Sequence, residues 1–436
     1  MLSYYFKVFS RIWGKQTQNS WFRRAQSASY TDRDSQTPSS QRLRWTAKRF
    51  SALCVFVLLI SLSGCALPQV SAEDRLFLDI AVELSGSAVL PKQDFSGEPV
   101  GGISAVVYDV PNDRLYGLSD NRDRPRFYTF TVANLSADSP VLTVESVTYL
   151  KDQDGKPYAP GELDPEGMAL TPTGTLLISS EGSPARRVAP AIGEYDLGSG
   201  QLKQVLPLPA RYIPDSVLDP AASAKSADQT QGVQENLSFE ALTINVSSGA
   251  GGVYEPYRLF VATEGPLLQD LDFEPAVPYK NRMLHYTLDP YQTTLISEHL
   301  YEMDLAPTGG VLHGLSEIEL LDQGGHFLGI ERSYGFQGFE VKLYQLASGG
   351  ATDISAIESL RSEAGGDQGI SPIRKELVLN LGDLPVPLQN YEAMTLGPTL
   401  KGANGLGRSE SLLIMSDDNF APEQETRLLV FRLTRS

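Results

Sequence analysis

The chain has 436 residues, with 36 Lys plus Arg against 53 Asp plus Glu, a formal net charge of −17, 41% hydrophobic residues and only two Cys. That length fits one large domain or two ordinary ones, and the apolar fraction excludes a disordered chain, a disulfide scaffold and a multi-span membrane protein. The acidic balance argues against a nucleic-acid partner, because it repels the phosphate backbone.

Charge is unevenly spread. Residues 1–64 hold ten basic residues and two acidic ones, so the remainder carries 26 basic against 51 acidic, a net −25. The basic stretch runs into an apolar segment at residues 52–62, followed by Ser63-Gly64-Cys65. This reads as a basic n-region, an apolar h-region short for a membrane span, and small residues before a cleavage point. Leu62-Ser63-Gly64-Cys65 resembles a bacterial lipobox, in which Cys65 is acylated and becomes the new N-terminus. The competing reading is an uncleaved anchor helix with an incidental Cys. On the lipobox reading, residues 1–64 are a leader and 65–74 an acylated Cys with a short linker. Residues 75–436 are then an exported body tethered to a membrane, periplasmic or at the cell surface. Cys54 falls within the leader, so no disulfide or Cys-based zinc site remains in the body.

From residue 70 onward, short β-branched and apolar runs alternate with Gly, Pro, Asn and Asp clusters, which predicts strands. The runs recur as a unit of four. Five segments share a first strand, a turn, and a second strand ending in an acid: 102–120, 164–181, 237–264, 314–331 and 390–417. Third strands are expected at 126–132, 192–197, 282–288, 339–346 and 427–433. Fourth strands are expected at 144–150, 204–208, 296–301 and 376–381. The last unit runs out of chain before its fourth strand, and residues 75–84 supply a matching strand before the first unit. The expected fold is all-β: a β-propeller of five four-stranded blades closed by pairing of the N- and C-terminal strands. Six blades remain open because the 215–235 insert is long, although its composition reads as loop.

Blade topology gathers the start of strand one and the end of strand two at one mouth. Four units carry a Glu near the start, Glu166, Glu240, Glu317 and Glu392, separated by 74, 77 and 75 residues. The second-strand ends add Asp120, Glu181, Glu264, Glu331 and Asp417. So many carboxylates near one axis repel unless cations offset them, and Arg122, Arg186, Arg187 and Arg332 follow the strand ends. One reading is that the acids ligate a hard cation, Ca²⁺, whose ligands are carboxylate and carbonyl oxygens. For the four first-strand Glu, an equally good reading is a clasp that accepts backbone hydrogen bonds between blades.

Other chemistries leave no trace. There is no Gly-x-Ser-x-Gly elbow, His-Glu-x-x-His, phosphate-binding Gly loop or dinucleotide fingerprint. The four His are scattered, and only His313, ahead of Gly314, is placed to line the mouth.

Gly101-Gly102-Ile103-Ser104, Leu118-Ser119-Asp120-Asn121-Arg122, Asp164-Pro165-Glu166-Gly167-Met168, Phe239-Glu240-Ala241-Leu242, Glu264-Gly265-Pro266-Leu267, Gly329-Ile330-Glu331-Arg332, Tyr391-Glu392-Ala393-Met394 and Ser416-Asp417-Asp418-Asn419-Phe420 together resemble the phytase-like family, "esterase-like activity of phytase". The resemblance covers about residues 86–433 and implies hydrolysis of phosphate or carboxylic esters on a propeller, with distant similarity to calcium-dependent propeller phytases. Asp417-Asp418-Asn419 adds an acid to the more usual Asp-Asn pairing. One function is then a lipid-anchored hydrolase of small-molecule esters. In it Ca²⁺ at the mouth binds the ester and activates water, Arg122 and Arg332 grip its oxygens, and Glu181 or Glu331 serves as general base. The alternative is a non-catalytic propeller that binds a ligand or partner at the cell surface.

Overall fold

The computed structural model describes residues 76–225, 228–245, 255–272, 277–307, 309–362, 365–401 and 408–435. The leader, Cys65 and the linker lie outside the described residues. Strand β1 (Ile80–Leu90) comes first, followed by a small hairpin of β2 (Asp94–Phe95) and β3 (Glu98–Pro99). Blade one is β4 (Ile103–Asp109), β5 (Arg114–Ser119), β6 (Arg126–Ala133) and β7 (Val141–Tyr149). Blade two is β8 (Pro165–Leu170), β9 (Thr175–Ser180), β10 (Ala191–Asp196) and β11 (Leu202–Val205). Blade three is β12 (Phe239–Asn245), β13 (Tyr257–Thr263), β14 (Lys280–Leu288) and β15 (Thr293–Glu302). Blade four is β16 (Gly310–Leu320), β17 (His326–Gly335), β18 (Gly338–Ala347) and β19 (Arg374–Asn380). Blade five holds β20 (Asn390–Lys401), β21 (Arg408–Asp417) and β22 (Thr426–Arg435).

The fifth sheet runs β1-β22-β21-β20, so the N-terminal strand is the outermost strand of the last blade. Its pairing with β22 is antiparallel, from Ile80 opposite Arg435 to Leu90 opposite Thr426, with one bulge at Leu84/Gly86. Terminal closure is therefore as expected, but the strand lies later than residues 75–84. The chain has five blades. Among its described residues, the 215–235 insert contributes a short helix, Asp215–Leu218, and no sheet. No helix among the described residues is long and apolar enough to cross a membrane.

Each inner strand touches the next around the ring, and β20 returns to β4. The blades are held by apolar wedges, which explains why the strands are buried on both faces. In β21, Leu412 and Ile414 pack toward blade four with Leu328, Ile330 and Leu343. Leu413 and Met415 point the other way, toward blade one with Ile103, Val106 and Phe130. This is the period of two of a strand, with apolar side chains at both phases. Blades one and two share Leu118, Phe127, Met168 and Ile178. Blades two and three meet at Leu177, Phe239, Val261 and Leu284, and blades three and four at Phe260, Leu315, Phe327 and Leu346.

Candidate functional site: a carboxylate mouth

The inner strand of every blade carries a β-bulge near its start. Ser104 is the extra residue in blade one, Ser316 in blade four and Glu392 in blade five. In blades two and three the ladder breaks over Glu166–Gly167 and over Glu240–Ala241. Before the bulge, Ile103, Pro165, Phe239, Leu315 and Tyr391 pair with Ser119, Ser180, Thr263, Glu331 and Ser416. The equivalent bulge positions are thus Ser104, Glu166, Glu240, Ser316 and Glu392. The equivalent strand-end positions, one residue beyond those partners, are Asp120, Glu181, Glu264, Arg332 and Asp417.

Two expected mouth residues are therefore displaced. Glu317 follows the bulge and acts as a clasp. Its carboxylate accepts the N–H of Leu242 in blade three (3.2 Å) and of Ile318 (2.9 Å). Glu319 does the same toward blade five, accepting the N–H of Leu396 (3.1 Å). Glu331 precedes the strand-end position and faces away from Arg332. It accepts the Tyr301 hydroxyl (2.7 Å) and the Asp304 N–H (3.1 Å), and it pairs with Lys375. The bulge shifts the phase of the first strand by one residue, and the alternation of β17 does the rest.

The remaining acids converge. Asp164, Glu166 and Glu181 offer oxygens within 4.8 Å of one another, and so do Glu181, Glu240 and Glu264. Glu392 and Asp417 continue the ring on blade five. Asp120, on blade one, feels the charges of Asp417 and Asp164. Tight backbone makes room for them. A Cβ on Gly314 would overlap Glu264, and one on Gly102, at φ +63°, would overlap Asp120. Glu181 accepts the N–H of Ser238 (2.8 Å), which positions its carboxylate between blades two and three.

Cations answer only part of this charge. Arg122 Nε reaches Asp164 at 2.7 Å, and its Nη2 lies 3.0 Å from Asn236 Oδ1 and 3.9 Å from Glu181. Arg332 uses four of its five donors. It donates to Ser316 Oγ (3.1 Å), Asn390 Oδ1 (2.7 Å) and Glu264 (3.0 Å), and it pairs with Glu392 at 2.7 Å. Lys92 neutralises Asp418 at the rim (2.5 Å). Arg186 donates to the Pro160 carbonyl, and Arg187 to the Ser216 and Ala222 carbonyls, so both brace loops. His313 bridges Ser333 Oγ (2.7 Å) and the Asp304 carbonyl (2.8 Å) beside the mouth.

Burial, then mutual repulsion, pushes these carboxyls up. Asp120, Glu166 and Glu240 stand well above the usual carboxylate range, burial being the largest cause. Glu181 is pushed up to about 8 by burial and by Glu264. Burial also raises Asp164 and Asp417, each to about 6. Glu392 is raised too, although Arg332 opposes the shift.

Sequence reasoning missed Asp164, Ser238 and Asn390 as parts of the site. Their signal was present, since each stands two residues before the bulge position of its blade.

No curated protein matches the chain in sequence. Among solved structures, the catalytic domain of the Coprinopsis cinerea GH62 alpha-L-arabinofuranosidase is similar at 10% identity, with 80% of this chain and 97% of that chain covered and a TM-score of 0.39. The Dos1 propeller is similar at 6% identity, covering 76% of this chain and 68% of that one, with a TM-score of 0.29. The N-terminal domain of Nup159 is similar at 9% identity, covering 82% and 96%, also with a TM-score of 0.29. The family model described as "esterase-like activity of phytase" matches residues 98–420, which hold blades one to four and the two inner strands of blade five, and the protein belongs to this phytase-like family.

Proposed function

We propose that the protein is a hydrolase of phosphate or carboxylic esters that works at the carboxylate mouth with a bound Ca²⁺, and that it is exported and held to a membrane through acylated Cys65. The observation that carries the hydrolase reading is the imbalance of charge at the mouth. Asp120, Asp164, Glu166, Glu181, Glu240, Glu264, Glu392 and Asp417 face only Arg122 and Arg332 among the described residues. The family supports an ester-hydrolysing activity. The lipobox and its basic flank support the location.

The residues fit a hard cation. All the donors are carboxylate oxygens, which Ca²⁺ prefers. Asp120 Oδ1 is buried without a hydrogen-bond partner, and Glu166 and Glu240 take part in no ion pair among the described residues. Asp164, Glu166, Glu181 and Glu240 would hold the ion. When bound, it would supply positive charge to polarise an ester oxygen and acidify a water. Arg122 stands at the rim with 44% of its side chain exposed, held by Asp164 and Asn236, and is placed to meet an anionic ester oxygen. Arg332 is nearly buried and spends four of its five N–H donors on Ser316, Asn390, Glu264 and Glu392, so it orders the two acids and is poorly placed to grip substrate. Asp417, at about 6, can take up or release a proton near neutral pH.

The test is an assay of the purified protein on a generic phosphate monoester and a generic carboxylic ester, with Ca²⁺ and with chelator. Hydrolysis should require Ca²⁺, and Glu181→Gln should lower kcat by roughly 100-fold or more. Activity on neither ester at saturating Ca²⁺ would overturn the reading in favour of a binding propeller. Membrane partitioning of Cys65→Ala checks the anchor: release is expected, and unchanged partitioning would refute it.

A further inference from the structure

Five-fold equivalence makes Arg332 conspicuous. At the strand-end position four blades present an acid, Asp120, Glu181, Glu264 and Asp417, and blade four presents a guanidinium. At the bulge position blade four has Ser316, and that hydroxyl accepts a hydrogen bond from Arg332 Nε. Blade four thus contributes no carboxylate to the mouth. Its cation is fixed by Glu264, Glu392, Asn390 and Ser316, and its charge is felt by Glu240 and Asp417 as well. A guanidinium bound by carboxylates on both sides holds the same place in the charge pattern as a metal ion bridging them.

The other side of the mouth has only Arg122, a half-exposed guanidinium at the rim that pairs with Asp164 at 2.7 Å, stands 3.9 Å from Glu181 and makes no ion pair with Glu166 or Glu240. Glu181 belongs to both carboxylate triads. Beside it lies Ser238, whose N–H donates to Glu181 and whose carbonyl accepts the N–H of Glu264. Ser238 is fully buried, yet its Oγ has no hydrogen-bond partner. Such an oxygen costs free energy unless something donates to it or coordinates it. The orphaned hydroxyl belongs to the residue whose backbone joins Glu181 to Glu264, between blades two and three.

We propose that Arg332 is a built-in cation standing where a second metal ion would otherwise bind, so that the mouth takes one divalent cation, centred on Glu181 at blades two and three. This rests on the reading of the mouth as a cation site. It goes further by fixing the number of ions and the side on which they bind. A second ion on Glu264 and Glu392 would have to displace Arg332 or sit against its charge.

Calcium titration of the full chain, followed by calorimetry, counts the ions. The wild type should bind one Ca²⁺. Arg332→Gln frees Glu264 and Glu392 and should bind two, whereas Arg332→Lys keeps the charge and should stay at one. Glu181→Gln should weaken the single wild-type site by at least tenfold. A wild type that binds one ion and an Arg332→Gln variant that also binds one would overturn the proposal and leave the cation reading standing. A wild type that binds none removes both. If Arg332→Gln does not fold in Ca²⁺, the wild-type count alone decides, and two ions there would overturn the proposal.

Discussion

A carboxylic acid enclosed by other carboxylates holds its proton more tightly than one in water, and Glu181 is in that position. Its folded value near 8 stands above an ordinary 4.5, while Asp164 and Asp417 near 6 stand above 3.8. In the metal-free protein the native state therefore keeps protons that the unfolded chain has released. Because each folded value is raised, the stability these groups lend is complete below the unfolded value and lost as pH rises through the folded one. The chelated protein should melt at progressively lower temperature between about pH 4 and pH 8. Ca²⁺ competes with those protons, so the loaded protein should lose far less over the same window. Thermal melts at constant ionic strength, with and without chelator, check this. Parallel curves would mean that these acids hold no ion. Gly314 shows how local the construction is, for its missing Cβ is the space that Glu264 fills.

At the level of the strand, the bulge decides which residue reaches the mouth. Glu317 sits one residue past its bulge and becomes a clasp across two blades, whereas Glu166, Glu240 and Glu392 are turned to the axis. Glu317→Ala should therefore leave Ca²⁺ binding intact and cost about 1–3 kcal/mol of stability, because the buried N–H groups of Leu242 and Ile318 lose their acceptor. Chemical denaturation and calcium titration of the same variant separate the two effects. Lost binding with unchanged stability would reverse the assignment.

The same bulge marks the limit of what the sequence made legible. Strand order, blade number and closure follow from a repeated run of apolar residues, which survives a slip of one position. A site residue does not survive that slip, because it exchanges one face of a strand for the other. Matching Glu to Glu across the repeats chose Glu317 and Glu331. Yet Ser316 lies 76 residues after Glu240 and 76 before Glu392, a more regular spacing than Glu317 gives. The identity of that seat was hidden because blade four fills it with a hydroxyl and an arginine instead of acids.

For the whole molecule, sheet edges and charge set the terms. The apolar wedges make a closed ring, including one between blades five and one, and the carboxylates are buried together at one end of its inner strands. Removing residues 76–90 would leave β22 as an unpaired edge against solvent, and aggregation on expression is the expected result. A truncated chain that remained monomeric and equally stable would show that the closing pair is dispensable.

That closing pair also sets a clock. Ile80 is bonded opposite Arg435, two residues 355 positions apart. Ordering such a pair means closing nearly the whole polymer into a loop before its hydrogen bonds return anything, and topologies dominated by such distant pairs fold slowly. Blade five cannot be completed until β22 has left the ribosome. Until the last strand is free, the first waits unpaired, exposed to chaperones and proteases. A circular permutant that joins the two strands by a short turn and opens the chain between blades two and three would turn this rendezvous into a hairpin. It should refold faster while keeping the same native state, and stopped-flow refolding of both forms would measure how much of the protein's folding time is spent waiting for its own beginning.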